Sequence, residues 1–92
     1  MGKLFGHAYS EEALYRNKNI ILGPGVNIFR TPMNGRNFEY MGEDPYLASR
    51  MAVAYIQGVQ DNHVAACVKH FAVNNQETNR YSINTLVDER TL

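Results

Sequence analysis

The sequence predicts an α/β fold of about two strands and two to three helices, and three observations carry that prediction. Asn19-Ile20-Ile21-Leu22 is a short apolar run stopped by Gly23-Pro24-Gly25, the pattern of a buried strand ended by turn formers. From Pro45 onward, Leu47, Met51, Ala54, Tyr55, Gly58 and Val59 recur at helical spacing, as they do on an amphipathic helix that covers a sheet. Val64-Ala65-Ala66-Cys67-Val68 is a second apolar run, and it ends in Lys69-His70.

Taken in order, residues 9 to 17 read as a first helix. Ser10 is its candidate cap, and Glu11 and Glu12 suit the positive end of the helix dipole. The strand at 19 to 22 follows. Val26 to Asp44 is a long loop rich in Gly, Pro and Asn, and loops of that length in compact domains are usually functional or disordered. Its aromatic residues, Phe29, Phe38 and Tyr40, favour order and are expected to pack, as is Phe71. Asp44 then caps the second helix, with Pro45 at its first position. That helix ends near Asp61-Asn62, and Arg50, Gln57 and Gln60 lie on its polar side. The second strand spans 64 to 68, with Cys67 as a small core residue. Residues 72 to 82 form another polar loop. Val87 to Leu92 reads as the opening of a further helix, with Asp88 as its cap.

Composition narrows the class. The 92 residues are 45% hydrophobic and 20% charged, which argues against intrinsic disorder. Lys and Arg number 9, Asp and Glu number 9, and the formal net charge is zero. No charge excess steers the chain toward nucleic acid or an anionic membrane. One cysteine and three histidines (His7, His63, His70) show no metal-ligand spacing. No apolar run approaches membrane-spanning length, and Met1 to Gly6 lacks the apolar core of a secretory leader.

The chemistry concentrates in two places. Lys69-His70-Phe71-Ala72-Val73-Asn74-Asn75-Gln76-Glu77 follows the second strand. An ammonium and an imidazole at a strand's C-terminal end need partners, because lone charges are costly to bury. In α/β sheets and barrels that end is where ligands bind, and hydroxyl-rich sugars suit such a set of donors. The second cluster runs from Gly23-Pro24-Gly25 through Arg30-Thr31-Pro32 to Gly35-Arg36-Asn37-Phe38-Glu39-Tyr40-Met41-Gly42-Glu43-Asp44-Pro45.

In order and spacing, these motifs resemble glycoside hydrolase family 3, in its β-glucosidase branch, over roughly residues 19 to 92. The resemblance implies a partial N-terminal domain across 1–92, a piece of a (β/α)8 TIM-barrel-like scaffold. Such barrels take about 250 residues, so the rest of a parent enzyme is the implied partner. It also implies retaining hydrolysis of terminal β-D-glucosyl residues without a cofactor. That reaction needs two carboxyl groups, a nucleophile and an acid/base. The family's nucleophile sits in a serine-aspartate-tryptophan type motif that is absent here, and its acid/base comes from a second domain.

By position, Arg36, Lys69 and His70 match the family's sugar-binding residues of subsite −1. Glu39, Asn74, Asn75, Glu77 and Arg80, with Asn37, are expected to hold the loops around them. Two of Glu39, Glu43 and Glu77 could be put forward as a catalytic pair. The family pattern assigns them instead to pairing with Arg36, Arg80 and backbone amides.

Three other readings compete. One is a β-xylosidase of the same family. Another is a non-catalytic carbohydrate-binding module, and the third is an assembly with chains that carry the missing parts. The N-acetylglucosaminidase branch fits less well, because it follows lysine-histidine-phenylalanine with a proline-glycine-histidine run where this chain has Ala72-Val73-Asn74.

Overall fold

A computed structural model describes residues 1–92. Two helices, α1 (Gly2–Tyr15) and α2 (Pro45–Gln60), accompany two short strands, β1 (Ile20–Ile21) and β2 (Ala65–Ala66). The strands pair in parallel, with Ile20 opposite Ala65 and Ile21 opposite Ala66. Because α2 lies between them in the chain, the unit is a β1–α2–β2 crossover, the repeating element of parallel α/β folds. The predicted α/β class holds. Both strands are shorter than the apolar runs that announced them.

α2 forms where its cap requires. Asp44 Oδ1 accepts from the Tyr46 amide at 2.8 Å and from the Leu47 amide at 3.3 Å, and Pro45 occupies the first turn, where a missing N–H costs nothing. Its buried residues are Ala48, Ala52, Tyr55, Gly58 and Val59. The inward stripe is therefore rotated from the expected one: Leu47 and Met51 lie exposed. Small residues are needed on this side because α1 crosses close by. A Cβ added at Gly58 would stand 2.0 Å from the Lys3 carbonyl oxygen, and one at Gly6 would stand 2.2 Å from that of Tyr55.

The close crossing explains why α1 starts eight residues before its expected cap, at Gly2 rather than Ser10. Gly6 lets the first half of the helix dock on α2, and docking stabilises a helix that weak local signals would not start. Ser10 is consequently buried in mid-helix, and Glu11 and Glu12 lie outside the first turn. The Ser10 hydroxyl donates to the His7 carbonyl at 2.7 Å and accepts from Asn62 Nδ2 at 2.8 Å. Asn62 also reaches the His7 carbonyl at 3.2 Å, so the end of α2 is stitched to the middle of α1.

The core is small: Ala13, Ile21, Tyr55, Val59 and Val64, flanked by Met41, Ile56 and Ala66. The Tyr55 ring packs against those of Phe5 and Tyr9, with centroids 5.9 and 6.5 Å away. Burial pushes its hydroxyl pKa up to about 12. Only one face of the sheet is covered. Side chains alternate across a strand, so Ile21 and Val64 point to the helices while Ile20, Leu22 and Ala65 remain exposed. Cys67 follows the same alternation and is exposed, a correction to its assignment as a core residue. Two of the four aromatic residues expected to pack, Phe38 and Phe71, are also exposed. The C-terminal residues form a single turn in place of a helix, with the Asp88 carboxylate accepting from the amide and hydroxyl of Thr91. No helix is long and apolar enough to cross a membrane.

Candidate functional site

The strand ladder continues past β1 and β2 as isolated bridges, and these build the site. The Lys69 amide donates to the Pro24 carbonyl at 3.0 Å, and the Val26 amide donates to the Lys69 carbonyl at 2.7 Å. Gly25 pairs with Lys69 on one side and with Tyr40 on the other. Three segments therefore meet at Gly25, at the C-terminal ends of the parallel strands. A side chain there would collide, since a Cβ would stand 2.6 Å from the Glu39 carbonyl oxygen and 3.0 Å from the Tyr40 ring.

The loop between β1 and α2 is ordered by two single turns of 3-10 helix, at Pro32–Asn34 and Asn37–Glu39. Thr31 Oγ1 accepts from the Met33 amide at 3.3 Å and Gly35, at φ 93°, ends the first turn, a backbone state open to glycine. Asn37 Nδ2 donates to the Thr31 carbonyl at 2.7 Å, which ties the second turn to the first. Arg36 and Glu39 stand three residues apart on that second turn, so their side chains meet.

The charges form a continuous chain. Arg36 Nε donates to Glu39 Oε1, and Lys69 Nζ lies 2.6 Å from Glu39 Oε2. Arg36 Nη1 lies 3.7 Å from Glu77 Oε1, and Arg80 Nη1 lies 2.9 Å from Glu77 Oε2. Three cations face two carboxylates, leaving one positive charge uncompensated. The side chains of Arg36, Glu39, Lys69 and Glu77 are each a quarter exposed or less, so water screens them only partly. Arg36 and then Lys69 hold the Glu39 carboxyl below the usual carboxylate range. Asn74 and then Arg80 do the same for Glu77. Glu39 in turn raises the already high Arg36 pKa.

His70 belongs to a second network, of neutral side chains that end on the Glu77 carboxylate. Its Nδ1 lies 2.7 Å from the Tyr40 hydroxyl, and Asn74 Nδ2 donates to that hydroxyl at 2.8 Å and to Glu77 Oε1 at 3.0 Å. Burial, followed by the Arg36 and Lys69 charges, holds the His70 pKa below its ordinary value. The loop bearing Asn74 is clamped from below. Asn27 accepts from the Asn74 amide at 2.8 Å and donates to the Asn74 carbonyl at 3.0 Å and to Asn75 Oδ1 at 2.8 Å. Asn34 Nδ2 donates to the same carbonyl at 2.9 Å.

The fold thus gathers Arg36, Glu39, Lys69, His70, Asn74, Glu77 and Arg80 around one point. Asn37 and Asn75 lie beside it as loop ties, and Glu43 makes no ion pair. Sequence reading missed Asn27 and Asn34 and treated Tyr40 as packing alone. The available signal was an asparagine-rich loop facing a second Asn-Asn pair, the composition of side chains that bind backbone. A cleft of about 860 Å³ opens alongside, and of the three candidate sugar-binding residues only His70 lines it. No three His, Cys, Asp or Glu side chains converge to hold a metal.

Comparison with known proteins gives the family. Residues 2–90 match the family described as the glycosyl hydrolase family 3 N terminal domain. Over 88 residues, 96% of this chain, it is 66% identical to β-glucosidase BoGH3A from Bacteroides ovatus. It is 58% identical over 95% of its length to thermostable β-glucosidase B from Acetivibrio thermocellus. The chain spans 12% of each of those proteins. Among solved structures, DesR, a β-glucosidase from Streptomyces venezuelae in complex with D-glucose, superposes with a TM-score of 0.91 at 43% identity. The match covers 96% of this chain and 11% of that one.

Proposed function

Because the chain belongs to glycosyl hydrolase family 3, in its β-glucosidase branch, we propose that it forms the sugar-gripping floor of a retaining β-glucosidase. The parent enzyme removes terminal, non-reducing β-D-glucosyl residues. The observation that carries this reading is the convergence of Arg36 and Lys69 on Glu39, next to His70, at the C-terminal ends of the strands.

Glu39 orients both cations while leaving them further donors, since a guanidinium has five N–H groups and an ammonium three. Those donors bind hydroxyl oxygens of the subsite −1 sugar through charge-assisted bonds. Such bonds strengthen as the ring flattens toward an oxocarbenium-like state. The uncompensated positive charge favours ionisation of a carboxylate brought close to it. That carboxylate, the nucleophile, attacks the anomeric carbon as the acid/base protonates the leaving oxygen. Water then cleaves the glycosyl-enzyme bond. Neither group is assigned to these 92 residues, and the isolated chain is expected to have no turnover.

The test is kinetic, in the parent enzyme, with 4-nitrophenyl β-D-glucoside and the matching β-D-xyloside. Arg36→Ala and Lys69→Met should each lower kcat about 100- to 1,000-fold, as loss of a transition-state donor does. Unchanged kcat in both variants would remove Arg36 and Lys69 from the site. A higher kcat/KM on the xyloside would replace the glucosidase reading with the xylosidase one.

A further inference from the structure

Resting on the reading of His70 as a sugar-binding residue, we propose that Tyr40 is a positioning residue that sets the His70 tautomer, so that Nε2–H is offered to a sugar oxygen. Hydrogen-bond direction carries the inference. An ionised Glu77 only accepts, so the Asn74 side-chain atom 3.0 Å from Glu77 Oε1 is its nitrogen. That nitrogen has two hydrogens, and the second faces the Tyr40 hydroxyl at 2.8 Å. Tyr40 Oη therefore accepts from Asn74 and must place its own hydrogen elsewhere.

Tyr40 is buried, and the other partner of its hydroxyl is His70 Nδ1, at 2.7 Å. A buried donor without an acceptor carries its full desolvation cost, so the hydroxyl donates to Nδ1. With Nδ1 accepting, a neutral imidazole carries its proton on Nε2. The rings stand at 88° with centroids 5.8 Å apart, so the imidazole edge meets the phenol. The order is Glu77 ← Asn74 → Tyr40 → His70, with Asn74 donating both ways and the carboxylate fixing every direction. The charged groups acting on His70 are Arg36, Lys69 and Arg80, which favour the neutral ring, and Glu39, which opposes them.

The experiment uses the parent enzyme labelled with nitrogen-15 at histidine only, studied by magic-angle-spinning NMR at a pH where His70 is neutral. His70 is identified by the signal lost in His70→Ala. The expected result is a pyridine-type Nδ1 and a pyrrole-type Nε2 in the wild type. In Tyr40→Phe a mixture of tautomers should appear, with about a tenfold fall in kcat/KM on 4-nitrophenyl β-D-glucoside. Adding Tyr40→Phe to His70→Ala should cost nothing more. A protonated Nδ1 in the wild type, or an unchanged tautomer in Tyr40→Phe, overturns the proposal. If the tautomer shifts as expected while His70→Ala keeps full kcat/KM, the relay stands and the sugar-binding role of His70 falls.

Discussion

At the scale of residues, Glu39 governs the site because two cations share it. Arg36 and Lys69 repel each other once its charge is gone, so Glu39→Gln should destabilise the parent enzyme by about 2 kcal/mol, read as a lower urea midpoint. The sign of the pH dependence follows from the depressed carboxyls. Glu39 and Glu77 have folded pKa values below the ordinary carboxylate value of 4.5. Their stabilisation is fully present above that value and is lost as the pH falls through the lower, folded one. His70, also depressed, from 6.5, contributes above that value and loses its contribution on acidification. Thermal midpoints of the parent enzyme should therefore fall steadily from about pH 6 to about pH 3, and less steeply in Glu39→Gln. Equal slopes would show that Glu39 is not tied to Arg36 in solution. Of these side chains, the charged members were legible in the sequence because their residue types and motif order were distinctive. Asn27 and Asn34 were not, since an amide that clamps a distant backbone leaves no local pattern.

Between elements, α1 and α2 depend on two glycines. Gly58→Ala would drive a methyl group against the Lys3 backbone, and backbone cannot yield as a flexible side chain does. The expected cost is about 3 kcal/mol or more, with helix α1 losing amide protection first in hydrogen exchange. Protection in α1 equal to wild type would show that the crossing can widen without loss. Asp44→Ala should cost about 1 kcal/mol through the lost cap of α2, in the same denaturation measurement. The cap of α2 was readable because Asp-Pro acts locally. The start of α1 was misread because its cause, a close approach to a helix more than forty residues away, is not local.

For the molecule as a whole, the exposed apolar surface matters most. Ile20, Leu22, Phe38 and Phe71 are all more than half exposed, and the sheet has one bare face. Patches of that kind mark interfaces or aggregation surfaces, and two paired strands are marginal without cover. The isolated chain should therefore associate or unfold with little cooperativity. Light scattering and a thermal melt check this: a monodisperse single chain with a sharp transition would show that the covered face alone suffices.

By itself the sequence determined the class of fold, the strand–helix–strand order, the cap of α2, the family and which charged residues gather at the candidate site, because each rests on local pattern or motif order. The tertiary structure alone decided the length of α1, the exposure of Cys67, the meeting of three segments at Gly25 and the direction of the hydrogen bonds through Tyr40. Those features arise from contacts between residues far apart in the chain, and no local periodicity records them.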